Sequence, residues 1–230
     1  MFEPEKLIIN PEHESLVREF LQNQKEAIEA LLADTSKRLG EGRTADVRFL
    51  GPNNKVCVKI FKRPENISGV DFYLPPSKER DFMEKLKNVV TNVRIPEIYA
   101  CYENGDAGFD FLMMEALPAV SIDDIFQGRA VLPPNFDLGA FRDDLYDFVR
   151  IMHENRIYHR DLHEGNIMID IESGKPYVID FGAAVEFYGD IELGERGPYH
   201  ITKEGKDIIL TSDEAMIKKI IKQLATRLTQ

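Results

Sequence analysis

The chain has 230 residues, 43% of them hydrophobic and 30% charged, which suits a soluble globular protein of one large domain or two compact lobes and excludes disorder throughout. A formal net charge of −11, with no basic patch of useful size to offset it, argues against a nucleic-acid partner. Cys57 and Cys101 lie far apart and in no C-x-x-C pair, so they suggest neither a disulfide framework nor a zinc site. The opening MFEPEKLIINPEHE is too acidic for a signal peptide and no apolar run reaches bilayer length. No membrane insertion is expected, and the default setting is cytoplasmic; secretion by a signal-free route leaves the same sequence.

Along the chain, Leu16, Val17, Phe20, Leu21, Ile28, Leu31 and Leu32 recur at helical spacing over residues 12–32 and predict a helix with one buried face. TADVRFLG and KVCVKIF then predict a β-hairpin across the Gly51 to Asn54 turn. SKERDFMEKLKN reads as a helix capped by Ser77, with Phe82, Met83 and Leu86 as its stripe. IPEIYACY and DFLMMEAL are two further strands on either side of the turn from Gly105 to Gly108.

Beyond residue 117 the pattern turns helical. Leu138, Phe141, Leu145, Phe148, Val149 and Met152 mark a long helix, and NIMID and PYVID a small hairpin. A last helix is expected from Thr211, with Glu214 completing a capping box and Ala215, Ile217, Ile220, Ile221, Leu224 and Leu228 as its stripe. The economical organisation is α+β: an N-terminal helical extension over 1–38, a strand-rich lobe over 39–116 and a reduced helical lobe over 117–230.

The strongest chemical constellation is HRDLHEGN at His159 to Asn166, followed by DFG at Asp180 to Gly182. Asp161 and Asn166 fall between a long helix and a strand, and Asp180 ends the next strand before a glycine that permits a sharp turn. Three oxygen-bearing side chains converging on a cleft suit Mg-nucleotide chemistry, because a hard cation bridges carboxylate and phosphate oxygens. Upstream, LGEGRTADV places Gly40 and Gly42 between a helix and a strand, where the backbone can approach phosphate closely; a plain loop is the competing reading. Lys59, inside VCVKI, points either to solvent or to bound phosphate, and in the second case Glu79 or Glu84 is the acid to orient it.

In order and spacing these segments resemble the protein-kinase superfamily: LGEGRTADV the glycine-rich loop, VCVKI the lysine strand, SKERDFMEKL the helix with the paired glutamate, FLMMEAL the strand entering the hinge, HRDLHEGN the catalytic loop and VIDFG the metal-binding turn. The resemblance implies a two-lobed kinase-like fold with ATP and Mg2+ as cofactors. It implies that Asp161 orients the substrate hydroxyl, that Asn166 and Asp180 hold Mg2+, and that Lys59 pairs the phosphates with Glu79 positioning it. It implies that Gly40 and Gly42 cover the phosphates, that Val47 and Cys57 roof the adenine pocket, that Met114 screens its back, and that Glu115 and Leu117 offer hinge backbone hydrogen bonds. Ala45 stands where the family has its third loop glycine, and Thr44 where it has an aromatic residue.

The acceptor is less sharply implied. Arg160 matches regulated protein kinases, and HRD and DFG favour a protein serine/threonine acceptor. His163, two residues after Asp161, gives a D-L-H-x-G-N arrangement similar to aminoglycoside and lipopolysaccharide-sugar kinases, which implies a small hydroxyl-bearing substrate. A nucleotide-binding interaction protein with weak catalysis is the third reading. After Gly182 there is no clear A-P-E motif; ERGPYHITKEGKDIIL reads as a shortened loop and a small helix, with Asp207 bracing the catalytic loop. His159 is read as a packing residue beneath that loop, and Asp170 and Asp190 as surface or turn carboxylates.

Overall fold

The structure, a computed structural model, describes residues 4–22, 38–41, 45–50, 55–62, 74–89, 92–104, 110–187, 199–203, 206–210 and 212–229. The fold is α+β and divides into two compact units, one of residues 1–84 and 96–117, the other of 85–95 and 118–230. No helix among the described residues is long and apolar enough to cross a membrane.

The first unit is built on a six-stranded antiparallel sheet in the order β1-β5-β6-β4-β3-β2. Its strands are β1 (Leu7–Ile9), β2 (Arg38–Glu41), β3 (Ala45–Leu50), β4 (Val56–Phe61), β5 (Ile98–Tyr102) and β6 (Asp110–Glu115). Residues opposite one another in register share a face. Val58, Met113 and Ala100 therefore lie on one face, where they join Val17, Leu50, Tyr102 and Phe111 in a buried core. Val47, Lys59 and Leu112 lie on the other, together with Cys57 and Met114.

The N-terminal segment is not helical alone. It adds β1 to the sheet edge before α1 (Glu14–Gln22), which buries Val17 completely while Leu16 is 40% exposed. The three apolar residues of β1 had no helical period to reveal them. Ile28, Leu31 and Leu32, and the turns at Gly51 to Asn54 and Gly105 to Gly108, lie outside the described residues. Helix α2 (Pro76–Lys87) starts one residue before Ser77, so Ser77 is not its cap. Proline at the first helical position has no N–H to lose and its φ is preset for the helix, and the Pro75 carbonyl takes the amides of Lys78 and Glu79.

In the second unit α4 (Leu138–Glu154) starts on Asp137, whose carboxylate accepts the Ala140 N–H, and it buries Phe141, Leu145, Phe148, Val149 and Met152. The last helix, α5 (Asp213–Leu228), buries Ile217, Ile220 and Leu224. Its cap is Ser212 rather than Thr211, with the Ser212 hydroxyl accepting the Ala215 N–H. Ala215 and Leu228, at the two ends of the expected stripe, are exposed. A three-stranded sheet sets β9 (Ile167–Asp170) between β10 (Pro176–Val178) and β7 (Ala119–Ser121), the last leading into α3 (Ile122–Phe126); β8 (Ile157–Tyr158) pairs with β11 (Val185–Glu186). Residues 199–203 and 206–210 form a β-hairpin, β12–β13, and not the small helix expected there. Tyr199, Ile201, Thr202, Ile208 and Ile209 are aromatic or β-branched and suit a pleated surface.

Candidate active site

Each unit carries one cluster of the residues singled out by sequence. In the first, β4 delivers Lys59 and the first turn of α2 delivers Glu79. The Lys59 ammonium donates to both Glu79 oxygens, at 2.7 and 2.9 Å, with the two residues only 4% and 1% exposed. Glu84, the other acid on α2, is exposed. A buried pair of this kind holds both side chains in place, since removing one partner strands a charge at a cost of about 3–5 kcal/mol.

Val47, Cys57 and Met114 lie on the Lys59 face, and Gly40 pairs with Val47 across β2 and β3. Gly42 and Thr44 lie outside the described residues. Burial, reinforced by Glu115, pushes the Cys57 thiol up to about 12, so it stays protonated and donates to the Glu115 carbonyl at 3.5 Å. The Glu115 N–H is bonded to the Glu97 carbonyl at 2.9 Å, and its side chain, opposite Val56, lies on the other face of the sheet. A ligand contact at this position therefore falls to the Glu115 carbonyl. Leu117 is half-buried at the end of the unit.

In the second unit the segment between β8 and β9 presents Asp161 at the surface. Asn166 donates through Nδ2 to the Asp161 carbonyl at 2.9 Å and carboxylate at 3.3 Å, which turns the amide oxygen into the end available to a cation. The Ile179 N–H bonds the Asn166 carbonyl, setting Asp180 next in line. Asp180 is left-handed, φ 62° and ψ 73°, and its carboxylate accepts the Gly182 N–H at 3.2 Å. Asn166 and Asp180 offer oxygen donors, the chemistry that fits Mg2+, and the Asp161 carboxylate stands beside Asn166.

His163 stands beside this cluster. Its Nδ1 accepts the Gly165 N–H at 2.9 Å, which puts the ring proton on Nε2, 3.7 Å from the Asp161 carboxylate. A Cβ on Gly165 would come within 2.8 Å of the His163 ring, so the glycine is what lets the ring dock.

The sequence reading missed Asp213. It is 1% exposed, and its carboxylate accepts the His159 amide at 3.0 Å, the Arg160 amide at 2.8 Å and His153 Nε2 at 3.0 Å. Arg160 is held at φ 70°, a conformation that costs a non-glycine residue about 1–3 kcal/mol and persists only where its surroundings enforce it. Asp213 does so, whereas Asp207, expected in that role, pairs with Thr202 inside the β12–β13 hairpin. The available signal was an acid in the first turn of a helix, which reads as a partner for the helix dipole.

Asp170, expected as a surface or turn carboxylate, is the turn kind: it is 4% exposed and organises the turn after β9 by accepting the amides of Glu172 and Ser173; Asp190 lies outside the described residues. His159 is fully buried, its Nε2 on the Ile179 carbonyl and its ring against Phe181. Burial lowers its pKa from 6.5 against the opposing pull of Asp213 and Asp180. Between the folded and unfolded values the unfolded chain binds more protons. Stability is therefore complete above about pH 6.5 and falls as pH drops below it, by up to about 1.4 kcal/mol per pH unit while His159 titrates. Chemical denaturation at stepped pH should show that limb, and His159→Gln should flatten it.

A Protein kinase domain model matches residues 33–200. The chain belongs to the protein kinase family. Among curated relatives, this kinase-family chain is similar to Serine/threonine-protein kinase PknA of Nostoc, 26% identical over 190 residues, 78% of this chain and 32% of that protein. It is 28% identical over 184 residues to Serine/threonine-protein kinase prk-2 of Caenorhabditis elegans, 78% of this chain and 38% of that one. To Serine/threonine-protein kinase C of Synechocystis it is 30% identical over 102 residues, 43% of this chain and 18% of that protein. The matched part is less than two fifths of each relative's length. Asp213 lies beyond the residues that the kinase family model matches.

Proposed function

We propose that the protein is an ATP- and Mg2+-dependent kinase that moves the γ-phosphoryl group to a hydroxyl on a protein serine or threonine. The observation that carries the reading is the all-oxygen cluster in which Asn166 is tied to Asp161 and Asp180 follows the strand beside it. Asp180 and the Asn166 amide oxygen would hold Mg2+, which when bound would offset phosphate charge during transfer. Lys59, kept in place by Glu79, pairs with the nucleotide's phosphate oxygens, and the backbone at Gly40 and Gly42 covers them. Val47, Cys57 and Met114 supply apolar surface to adenine, with the Glu115 carbonyl and Leu117 backbone as its hydrogen-bonding partners.

Asp161 accepts the acceptor's proton as its oxygen bonds to phosphorus and the bond to ADP breaks. His163, its proton on Nε2, keeps the Asp161 carboxylate turned to the acceptor. Positioning and charge stabilisation supply most of the rate, because no covalent intermediate on the enzyme is needed. The relatives, all named as serine/threonine-protein kinases, favour the protein acceptor.

A second reading rests on His163. A D-L-H-E-G-N loop beside the transferring group favours a sugar or aminoglycoside hydroxyl. Incubation with γ-labelled ATP and Mg2+ separates the two, using a basic and a neutral test protein, the chain itself, an aminoglycoside and a sugar as acceptors. Label on serine or threonine, absent from D161N, is the expected result. Label on the small molecules alone overturns the protein acceptor, and Mg-ATP binding without transfer to any acceptor leaves a nucleotide-binding interaction protein.

A further inference from the structure

Glu12, His13 and Glu97 come from opposite ends of the first unit's sequence, yet each presents a ligand atom within 4.8 Å of the other two. His13 ends the short 3-10 helix Pro11–His13, and Glu97 immediately precedes β5. The His13 Nε2 is shielded from water and stands 3.1 Å from Glu97 Oε1, but makes no hydrogen bond. Without a metal, that separation is one that an imidazolium and a carboxylate reach as an ion pair. It is the length expected between two ligands of one tetrahedral ion: bonds of about 2.0–2.1 Å at the tetrahedral angle put donor atoms about 3.3 Å apart.

The backbone that carries the three ligands is already fixed. Asn10 donates its N–H to the Tyr99 carbonyl at 2.9 Å and its side-chain amide to the Ile98 carbonyl at 3.2 Å, and its own oxygens accept the amides of Glu12 and His13. The Glu97 carbonyl accepts the Glu115 amide at 2.9 Å, and the Tyr99 ring lies 4.3 Å from the His13 ring. Pre-placed ligands lose little freedom on binding.

We infer that Glu12, His13 and Glu97 form a site for a divalent transition metal of the Zn2+ class, which clamps the N-terminal segment onto strand β5. One imidazole and two carboxylates are a ligand set for zinc rather than for Mg2+ or Ca2+, which favour oxygen alone, and three protein ligands leave the fourth position to water. The site is independent of the phosphotransfer reading: none of its three ligands is a residue assigned to the nucleotide or the acceptor, and the metal's role here is to hold a segment.

The test is a titration of the metal-stripped full chain with ZnCl2 in excess Mg2+, which keeps carboxylate sites such as Asp180 occupied. Wild type should take up one equivalent, and Co2+ in its place should give a visible band without the near-ultraviolet absorption of a thiolate, since both cysteines are buried. His13→Asn, Glu97→Gln and the surface change Glu12→Gln should each weaken binding, the first two by at least about 100-fold, the upper end of the loss from removing an outer partner alone. Zinc should also slow hydrogen exchange at the Asn10 amide in wild type and not in H13N. Unchanged affinity in H13N or E12Q, or a wild type that takes up no zinc, overturns the inference; E12Q alters an exposed side chain, so a folding failure cannot stand in for the result.

Discussion

Asp161→Asn should lower the rate of phosphotransfer by about 100- to 10,000-fold, the range for loss of a positioned proton acceptor, while Mg-ATP binds nearly as well as to wild type. The asparagine keeps the shape of the side chain and removes the basic oxygen. Asp161 is exposed, so the fold should not register the change. Asp180→Asn should act on the other step. In the proposed Mg2+ donor set its carboxylate is the charged member, so Mg-ATP affinity should fall together with the rate. The fold should tolerate it, because asparagine shares with aspartate the ability to sit at φ 62°. Titration with a non-hydrolysable ATP analogue in Mg2+, beside single-turnover transfer, separates the two. Full transfer by folded D180N would sink the assignment.

Asp213→Ala should both destabilise the protein and suppress turnover. It leaves the amides of His159 and Arg160 and the His153 ring without their acceptor in a buried setting. At about 1–3 kcal/mol for each unsatisfied donor the loss reaches several kcal/mol. Asp213→Asn keeps one acceptor oxygen and should lie between alanine and wild type. Because Arg160 is held at φ 70° immediately before Asp161, its release moves the proton acceptor. The rate should therefore fall by more than the KM for ATP rises, a split that simple loss of stability does not produce. Denaturant unfolding measured beside steady-state kinetics reads both, and a D213N protein with wild-type stability and turnover would remove Asp213 from this role.

The parts of the site that sequence revealed are contiguous or nearly so. Asp161 and Asn166 belong to one short segment, and Asp180 follows a hairpin whose two strands alternate clearly. Lys59 stands inside a short apolar strand, where the residues alone leave it pointing to solvent or to phosphate, and Glu79 lies in the first turn of a helix with a recognisable stripe. Between Glu79 and Glu84 the residues alone leave the choice open and the resemblance favours Glu79; packing buries Glu79 against Lys59 and leaves Glu84 exposed.

What sequence alone determined about this protein is most of its helices and strands and a set of candidate chemistry-bearing residues, because hydrophobic period and turn chemistry act within a single element. Tertiary structure decided the contacts between distant elements. Asp213 meets Arg160 across 53 positions of chain, the N-terminal segment gains a strand only by pairing with β5, and Glu12 and His13 meet Glu97 only because that strand does. No local pattern encodes such meetings: they are set by which apolar faces must be buried together, and the polar side chains on those elements arrive as a consequence.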